Sequence, residues 1–226
     1  MKELPPQELF LNAMQQRKGK RDFNSVQNRS HRQIPWKPVH DTKPDFCSDA
    51  WSTALSPDGG VMASCHGDRT LKFWNVKTGE RIKTLIHQQP IWACSFSPSG
   101  WGIATAGIDG MIWLWELETS RCFGKLQGHT GWIHTLDFSS IDDVIASGST
   151  DTTVRLWNIA TGKCLAVFEG HDRPVHTVEF DPTGHLLASI SDDQVIKVWN
   201  IQTGECLSTL IGHYNNFADD MWALIN

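Results

Sequence analysis

Residues 128–158 read GHTGWIHTLDFSSIDDVIASGSTDTTVRLWN, and the fold is predicted from the pattern of this stretch. It begins with Gly128-His129 and ends with Val154-Arg155-Leu156-Trp157, a segment whose alternation is typical of a β-strand. Residues 158–162 then form a turn signal that leads into a further short apolar segment at residues 164–168. The stretch therefore predicts a unit of short strands joined by tight turns.

The same unit recurs along the chain with a period of about 42 residues. The tryptophans that close the alternating strand lie 41, 42 and 42 residues apart: Trp74, Trp115, Trp157 and Trp199. Three more series keep this spacing to within a residue: the histidines His87, His129, His171 and His213, the turn aspartates Asp68, Asp109, Asp151 and Asp193, and the hydroxyl residues Ser64, Thr105, Ser147 and Ser189. Four short strands repeated at this period predict the blades of a β-propeller.

This repeat resembles the WD-repeat family over about residues 46–215. The family's motif usually ends in Trp-Asp, whereas here it ends three times in Trp-Asn and once in Trp-Glu. The resemblance implies an all-β propeller segment at residues 46–226. Its four four-stranded blades are expected at about residues 46–86, 87–128, 129–170 and 171–212, with the start of a fifth at 213–226.

An incomplete ring is expected, because closed propellers of this family generally have more than four blades. Three explanations stay open. The chain is a fragment of a longer propeller, it pairs with a second copy or another propeller segment, or it closes as an unusually small ring. Unpaired blade edges favour association in each of the first two cases.

Residues 1–45 show no repeat and differ in charge from the rest of the chain. They hold nine Lys/Arg and five Asp/Glu, whereas the remaining residues hold eleven and twenty. This first segment contains the basic cluster at residues 17–21, followed by a polar stretch and by Pro35, Pro38 and Pro44, so we predict a flexible, disordered arm. The cluster is open to three interpretations: a nuclear-import signal, a docking site for an acidic partner or a solvated tail.

The composition excludes several other classes of protein. The acidic balance of residues 46–226 argues against a nucleic-acid-binding surface. No apolar run reaches the roughly 20 residues of a membrane helix, and the N-terminus lacks the order of a secretory signal. The six cysteines stand singly, which indicates packing rather than metal binding. We therefore expect a cytoplasmic or nuclear, non-secreted protein without a cofactor, a bound metal or a membrane partner.

The resemblance also implies a hydrogen-bonded network inside each blade, because buried imidazole, hydroxyl and indole groups each need a partner. The implied sets are His87–Thr105–Asp109–Trp115, His129–Ser147–Asp151–Trp157 and His171–Ser189–Asp193–Trp199. Ser, His and Asp also form hydrolase triads, but a trio repeated in three units without a G-x-S-x-G motif indicates a structural role. The first blade has Asp45 at the histidine position and is expected to lack the full network.

If these networks are structural, the candidates for partner binding lie on the exposed rims and loops. In the family, side chains near the start of each innermost strand, and those before the turn aspartates, line the mouth of the propeller and contact partners. These positions hold Trp51, Trp92, Trp132, His134, His176 and Asp192. An exposed tryptophan is a typical interface hot spot, whereas the alternative is that these indoles pack between blades.

The resemblance implies a rigid scaffold or adaptor that binds other proteins and catalyses no reaction. Its expected partners are other proteins, among them a second copy of the chain or another propeller segment. Two narrower functions stay open: a substrate-recognition subunit of a ubiquitin ligase, and a reader of basic peptides or histone tails. An enzyme that uses the central channel is the least favoured alternative, since no cluster of unique acidic, His or Cys residues is found.

Overall fold

A computed structural model describes residues 50–140 and 143–211 of the chain. The regular structure of these residues is β-strand throughout, in sixteen short strands. In chain order they are β1 (Ala50–Leu55), β2 (Val61–His66), β3 (Thr70–Asn75), β4 (Arg81–Ile86), β5 (Ile91–Phe96), β6 (Gly102–Gly107), β7 (Met111–Glu116), β8 (Cys122–Gln127), β9 (Ile133–Phe138), β10 (Val144–Ser149), β11 (Val154–Asn158), β12 (Cys164–Phe168), β13 (Val175–Phe180), β14 (Leu186–Ser191), β15 (Val195–Asn200) and β16 (Cys206–Ile211).

The strands form four antiparallel sheets, each of four strands in simple chain order. The sheets are β1–β4, β5–β8, β9–β12 and β13–β16. Tight turns make this order possible, and glycine supplies the left-handed backbone that they need, as at Gly59 (φ 70°) and Gly184 (φ 68°). Each sheet therefore corresponds to one sequence repeat, and the prediction of an all-β fold with four four-stranded blades is confirmed for the described residues.

The first strand of each sheet lies beside the first strand of the next one. Strand β1 contacts β5, β5 contacts β9 and β9 contacts β13. The four blades consequently form an open arc, as in part of a propeller, with β1, β5, β9 and β13 on its inner side. Any residue position near the start of these strands is therefore brought close to its counterparts in the neighbouring blades.

Apolar side chains fill the spaces between blades. One cluster joins the first and second blades and includes Phe73, Ile91 and Phe96. A second cluster joins the third and fourth blades and includes Leu156, Val175 and Trp199. Burial of this apolar surface is the main favourable contribution to the arc, since each sheet alone has two faces to cover.

Side chains of β9 also bond to the backbone of β13 in the next blade. The Val178 N–H donates to Thr135 Oγ1 at 3.2 Å, and the Phe180 N–H donates to Asp137 Oδ2 at 2.8 Å. These contacts occupy donors on the edge of β13 that has no strand partner in its own sheet. Burial, supported by the charge of Glu179, raises the pKa of Asp137 to about 6 against the effect of the Phe180 N–H.

Several predicted features lie outside the described residues: the disordered arm at 1–45, with its basic cluster, and the start of a fifth blade at 213–226. Residues 141 and 142, in the first turn of the third blade, are outside them as well. Within the part of the chain that is described, no helix has the length and apolar character needed to cross a membrane.

Candidate functional site

The interior of the third blade holds a chain of hydrogen bonds among four side chains of the repeat. The Trp157 Nε1–H donates to Ser147 Oγ at 2.8 Å, and Ser147 Oγ lies 2.7 Å from His129 Nε2. His129 Nδ1 in turn lies 2.8 Å from Asp151 Oδ2. A proton on Nδ1 gives every group a partner, because the hydroxyl then donates to Nε2 and the imidazole donates to the carboxylate.

The fourth blade has the same network. The Trp199 Nε1–H donates to Ser189 Oγ at 2.8 Å, and Ser189 Oγ lies 2.8 Å from His171 Nε2. His171 Nδ1 lies 2.8 Å from Asp193 Oδ2. Burial alone would raise the pKa of Asp193 and of Asp151, but hydrogen bonds from the histidines and from backbone N–H groups lower both below the usual value. The two carboxylates are therefore ionised at neutral pH, and their bonds to imidazole are charge-assisted.

The second blade departs from the network that the resemblance implies. His87 Nε2 lies 3.3 Å from Thr105 Oγ1, which accepts the Trp115 Nε1–H at 2.9 Å. Asp109, however, accepts the Trp113 Nε1–H at 2.8 Å. The Trp113 ring packs against the His87 ring at a centroid distance of 4.6 Å, which brings its N–H to the carboxylate. Burial lowers the pKa of His87 despite the opposing charge of Asp109, so this imidazole is neutral at pH 7.

The first blade takes a histidine from its own second strand. Ser64 Oγ lies 2.9 Å from His66 Nε2 and accepts the Trp74 Nε1–H at 2.8 Å. Asp45, which stands at the histidine position of the repeat, lies outside the described residues. The bond from indole to hydroxyl is thus common to all four blades, whereas the contacts of the histidine and the aspartate in the first and second blades differ from those in the third and fourth.

The hydroxyl groups of these networks are enclosed within the blades. Thr105, Ser147 and Ser189 are fully buried, and each oxygen already accepts from an indole and lies within hydrogen-bonding distance of an imidazole. A substrate therefore has no access to a hydroxyl nucleophile in them. The described residues also contain no group of three His, Cys, Asp or Glu side chains arranged to hold a metal ion.

A second set of side chains lies on the inner strands, each of which has a β-bulge. The register with the second strand shifts between residues 50 and 52, 91 and 93, 133 and 135, and 175 and 177. The extra residue in each case is Trp51, Trp92, His134 or His176. A bulge turns its residue out of the alternating pattern of the strand, and bulges are frequent beside functional sites. Four of the six predicted binding residues are therefore bulge residues.

The bulge side chains form a continuous series of ring contacts across the four blades. The Trp51 and Trp92 rings stack at a centroid distance of 5.7 Å and an angle of 27°. The Trp92 and His134 rings stack at 4.9 Å and 28°, and His134 contacts His176 at 4.7 Å. We define the aromatic row as these four residues together with Trp132 and Asp192.

Trp132 lies across this row, with its ring at 82° to the Trp92 ring and a centroid distance of 4.9 Å. Its backbone is fixed by Thr150, because the Trp132 N–H donates to Thr150 Oγ1 and the Thr150 N–H donates to the Trp132 carbonyl, both at 2.8 Å. A Cβ atom on Gly131 would lie 2.3 Å from Thr150 Oγ1, so this close approach requires glycine. Trp132 nevertheless remains 49% exposed and Trp51 59% exposed.

Asp192 places a carboxylate at the other end of the row. His176 Nε2 lies 2.9 Å from Asp192 Oδ1, and the two side chains are 43% and 51% exposed. Burial lowers the pKa of His134, the neighbouring His176 lowers it further, and Asp192 opposes both. His134 is therefore neutral at pH 7, and Asp192, which lies within hydrogen-bonding distance of His176, is the one carboxylate of the row.

Sequence reasoning selected these six residues but missed the bulges that bring four of them together. A signal for the bulges was present in the spacing of the apolar residues. In β9 the buried residues are Ile133, Leu136 and Phe138, and β13 has Val175, Val178 and Phe180. A step of three followed by a step of two breaks the alternation of a regular strand and indicates one extra residue.

Comparison with known proteins gives four matches to one family model, the WD domain, G-beta repeat, at residues 37–75, 79–116, 120–158 and 162–200. The chain is also similar to a coronin-like protein of Saccharomyces cerevisiae, with 37% identity over 71 residues, or 31% of the chain. It is 32% identical over 77 residues, 33% of the chain, to the nuclear distribution protein nudF 1 of Talaromyces marneffei. It is 35% identical over 92 residues, 36% of the chain, to protein CIA1 of Arabidopsis thaliana.

These similarities cover only a small part of each relative. The match spans 11% of the coronin-like protein, 17% of nudF 1 and 26% of CIA1. The pre-mRNA-splicing factor cwf17 of Schizosaccharomyces pombe, 32% identical over 69 residues and 30% of the chain, is matched over 20% of its length. The relatives therefore share the repeat with this chain, while their names describe different cellular tasks.

Proposed function

Because the chain belongs to the WD domain, G-beta repeat family, we propose that it is a protein–protein interaction scaffold whose contact surface is the aromatic row. The observation that carries this proposal is the exposure of Trp51 and Trp132. Both indoles remain about half exposed although the Trp92 ring stacks on Trp51 and lies edge-on to Trp132. Large, rigid side chains of this kind are typical anchors of protein interfaces.

The rigidity of the row supports the same proposal. Three of its bulge residues, Trp92, His134 and His176, lie on strands with buried residues that pack against neighbouring blades, and Trp132 is held by two hydrogen bonds to Thr150. A surface that is already ordered loses little conformational entropy when a partner binds. The row is therefore suited to bind a partner without rearranging.

Catalysis is not part of the proposal. WD-repeat proteins are generally non-enzymatic scaffolds, and the repeated hydroxyl groups of this chain are buried within their blades. Recognition of substrates for a ubiquitin ligase would be a narrower form of the scaffold function, and the similar proteins do not favour it over other assemblies. Their names include a nuclear distribution protein and a splicing factor, and we propose the cytoplasm or the nucleus as the location.

Self-association is a second proposal, favoured by exposed apolar residues on the first and fourth blades. Leu55 and Ile86 of the first blade and Ile211 of the fourth are between 60% and 78% exposed. Covering such side chains with those of a second copy removes apolar surface from water, at about 25 cal/mol per Å². Sedimentation velocity should show a sedimentation coefficient that rises with concentration, whereas a constant monomer value would contradict this proposal.

The scaffold proposal is tested by affinity capture from a native extract of the source cells. The tagged chain is compared with the double variant Trp51→Ala/Trp132→Ala. A matched control, Leu165→Ala/Leu207→Ala, removes two exposed apolar residues from the outermost strands instead. Circular dichroism confirms that all three proteins are folded.

We expect proteins captured in near-stoichiometric amounts by the unmodified chain and the control to be lost from the row variant. The expected decrease is at least tenfold, because interface tryptophans commonly contribute more than 1.4 kcal/mol. Retention of the same proteins by the folded row variant would contradict the assignment of the row as the contact surface.

A further inference from the structure

We infer that the aromatic row binds an extended, arginine-containing segment of a partner protein, with guanidinium groups on the exposed indoles and against Asp192. This inference rests on the proposed function and names the chemistry of the partner. It follows from three observations: the charge around the row, the ring surfaces that stay open, and the length of the row.

The charge of the surrounding turns favours a cationic partner. Of the seven carboxylates in the turns on this side of the blades, four are partly buried and belong to the blade interiors. The exposed ones, Glu169, Asp172 and Asp192, lie in the turns before β13 and after β14, with one arginine, Arg173, and no lysine; the other arginine of these turns, Arg69, lies in the first blade. The turns are residues 66–70, 87–90, 107–110, 128–132, 149–153, 169–174 and 191–194. A negative surface of this kind attracts basic segments and repels phosphate groups, so it favours a protein partner over a nucleic acid.

The open ring surfaces favour guanidinium over other apolar or polar groups. Trp92 is stacked between Trp51 and His134, so its two faces are partly covered, whereas Trp51 and Trp132 keep half of their surface in solvent. The face of an indole carries negative electrostatic potential and attracts cations. Guanidinium is planar and weakly hydrated, so it both stacks on indole and bonds to carboxylate.

The dimensions of the row fit a short extended segment. Successive ring centroids lie 5.7, 4.9 and 4.7 Å apart, and Asp192 follows His176 at 2.9 Å. The path along the four rings is about 15 Å, which is an upper limit for the separation of its ends, so at roughly 3.3 Å per extended residue at most about five residues of a partner span the row. Two arginines four residues apart would thus reach Trp51 at one end and Asp192 at the other.

This geometry gives Trp92 a different role from its two neighbours. Because Trp92 touches Trp51, Trp132 and His134, it positions the rings that bind instead of presenting a free face. The contacts that we assign to the partner itself are on Trp51, Trp132 and Asp192.

The test uses fluorescence anisotropy with the full chain and labelled eight-residue peptides. The first peptide alternates arginine with glycine. The second has citrulline in place of arginine, which keeps the shape and removes the charge, and the third has glutamate. A single-stranded oligonucleotide of fifteen thymidines tests nucleic acid binding directly.

We expect the arginine peptide to bind at least tenfold more tightly than the citrulline and glutamate peptides, with no binding of the oligonucleotide. Affinity should fall as NaCl is raised from about 50 to 300 mM, because the ion pairs are screened. Asp192→Asn and Trp132→Leu should each weaken the arginine peptide about five- to tenfold. Glu118→Gln, which removes the same charge in the turn between β7 and β8, should leave its affinity unchanged.

Equal binding of the arginine and citrulline peptides would overturn the inference, and so would unchanged affinity in a folded Asp192→Asn variant. Preference for the oligonucleotide would also overturn it. These results are distinct from failure of the scaffold function. If capture from extract depends on Trp51 and Trp132 while the arginine peptide shows no preference, the scaffold proposal stands and only the chemistry of the partner is wrong.

Discussion

The blade interiors and the aromatic row contain the same residue type in opposite surroundings. In the interior, Trp157 is 1% exposed and its N–H donates to a buried serine that is also bonded to a histidine. In the row, Trp51 and Trp132 lie half in solvent and contact other rings. The interior tryptophans recur in every blade, whereas the row tryptophans do not. Residues that recur in every blade therefore form the interior of the blade, and residues that differ between blades form its exposed surface.

The largest expected effect comes from the interior. Trp157→Ala removes a fully buried side chain from the third blade and leaves the Ser147 oxygen without its indole donor. We expect the free energy of unfolding to fall by about 4 kcal/mol, the usual cost of such a cavity. Urea unfolding followed by far-UV circular dichroism measures this. A decrease below about 1 kcal/mol would contradict this prediction, because the interior and row tryptophans would then contribute equally to stability.

The next prediction compares the same substitution in the interiors of the third and first blades. Ser147→Ala leaves both the Trp157 N–H and His129 Nε2 without their partner in a buried site, and we expect a loss of about 3 kcal/mol. Ser64→Ala removes the matching oxygen in the first blade, which also lies 2.9 Å from His66 Nε2. Trp74 is only half-buried there, so water can replace the acceptor of its N–H. Its expected cost is about 1 kcal/mol. Equal losses in the two variants would show that the blades are equally dependent on the hydroxyl.

Neither serine variant should alter partner binding, since both changes lie inside the blades. Capture of partners by Ser147→Ala at a temperature well below its unfolding midpoint checks this. Loss of capture in a variant that remains folded would mean that the interior network controls the row directly.

The features that repeat could be predicted from the sequence, and the features that occur once could not. The spacing of 42 residues was sufficient for the four sheets, and the resemblance to the family implied the bond between hydroxyl and indole in the second, third and fourth of them. Neither predicted the hydrogen bond of Asp109. The Trp113 N–H donates to that carboxylate, and a tryptophan occurs at this position in one blade only. His66, which replaces the missing histidine of the first blade, is likewise outside the repeat pattern.

The candidate site shows the same division. The sequence predicted that Trp92, His134 and His176 occupy the same position of the repeat. It did not predict the contacts between their rings. Those contacts depend on how closely the inner strands of neighbouring blades approach. That distance is set by packing between blades, such as the cluster around Val175, and a local sequence pattern does not contain it.

A smaller, pH-dependent effect tests a residue that is interior but not repeated. Asp137 bonds to the Phe180 N–H across the third and fourth blades, and burial raises its pKa from 3.8 to about 6. Since the folded pKa lies above the unfolded value, its stabilising contribution is complete below about pH 4 and is lost as pH rises through 6. Asp137→Asn keeps an acceptor without the charge. We therefore expect this variant to be more stable than the unmodified chain by about 2 kcal/mol at pH 8, and equally stable at pH 4.

Urea unfolding at the two pH values measures this difference. Glu118→Gln, which makes the same change in net charge at an exposed turn, serves as the control and should not reproduce the gain. If Asp137→Asn is less stable at pH 8, the carboxylate stabilises the contact between the blades in its ionised form, and the direction of the pKa shift is wrong.

The smallest expected effect on stability belongs to the row. Trp132→Ala removes an indole that is about half exposed and whose backbone, not its ring, makes the hydrogen bonds to Thr150. We expect the free energy of unfolding to change by no more than about 0.5 kcal/mol, as for most surface substitutions. The same urea titration as for Trp157→Ala gives a direct comparison of two tryptophans in one blade. A loss close to that of Trp157→Ala would mean that the row is part of the packing between blades, and the distinction between interior and surface tryptophans would fail.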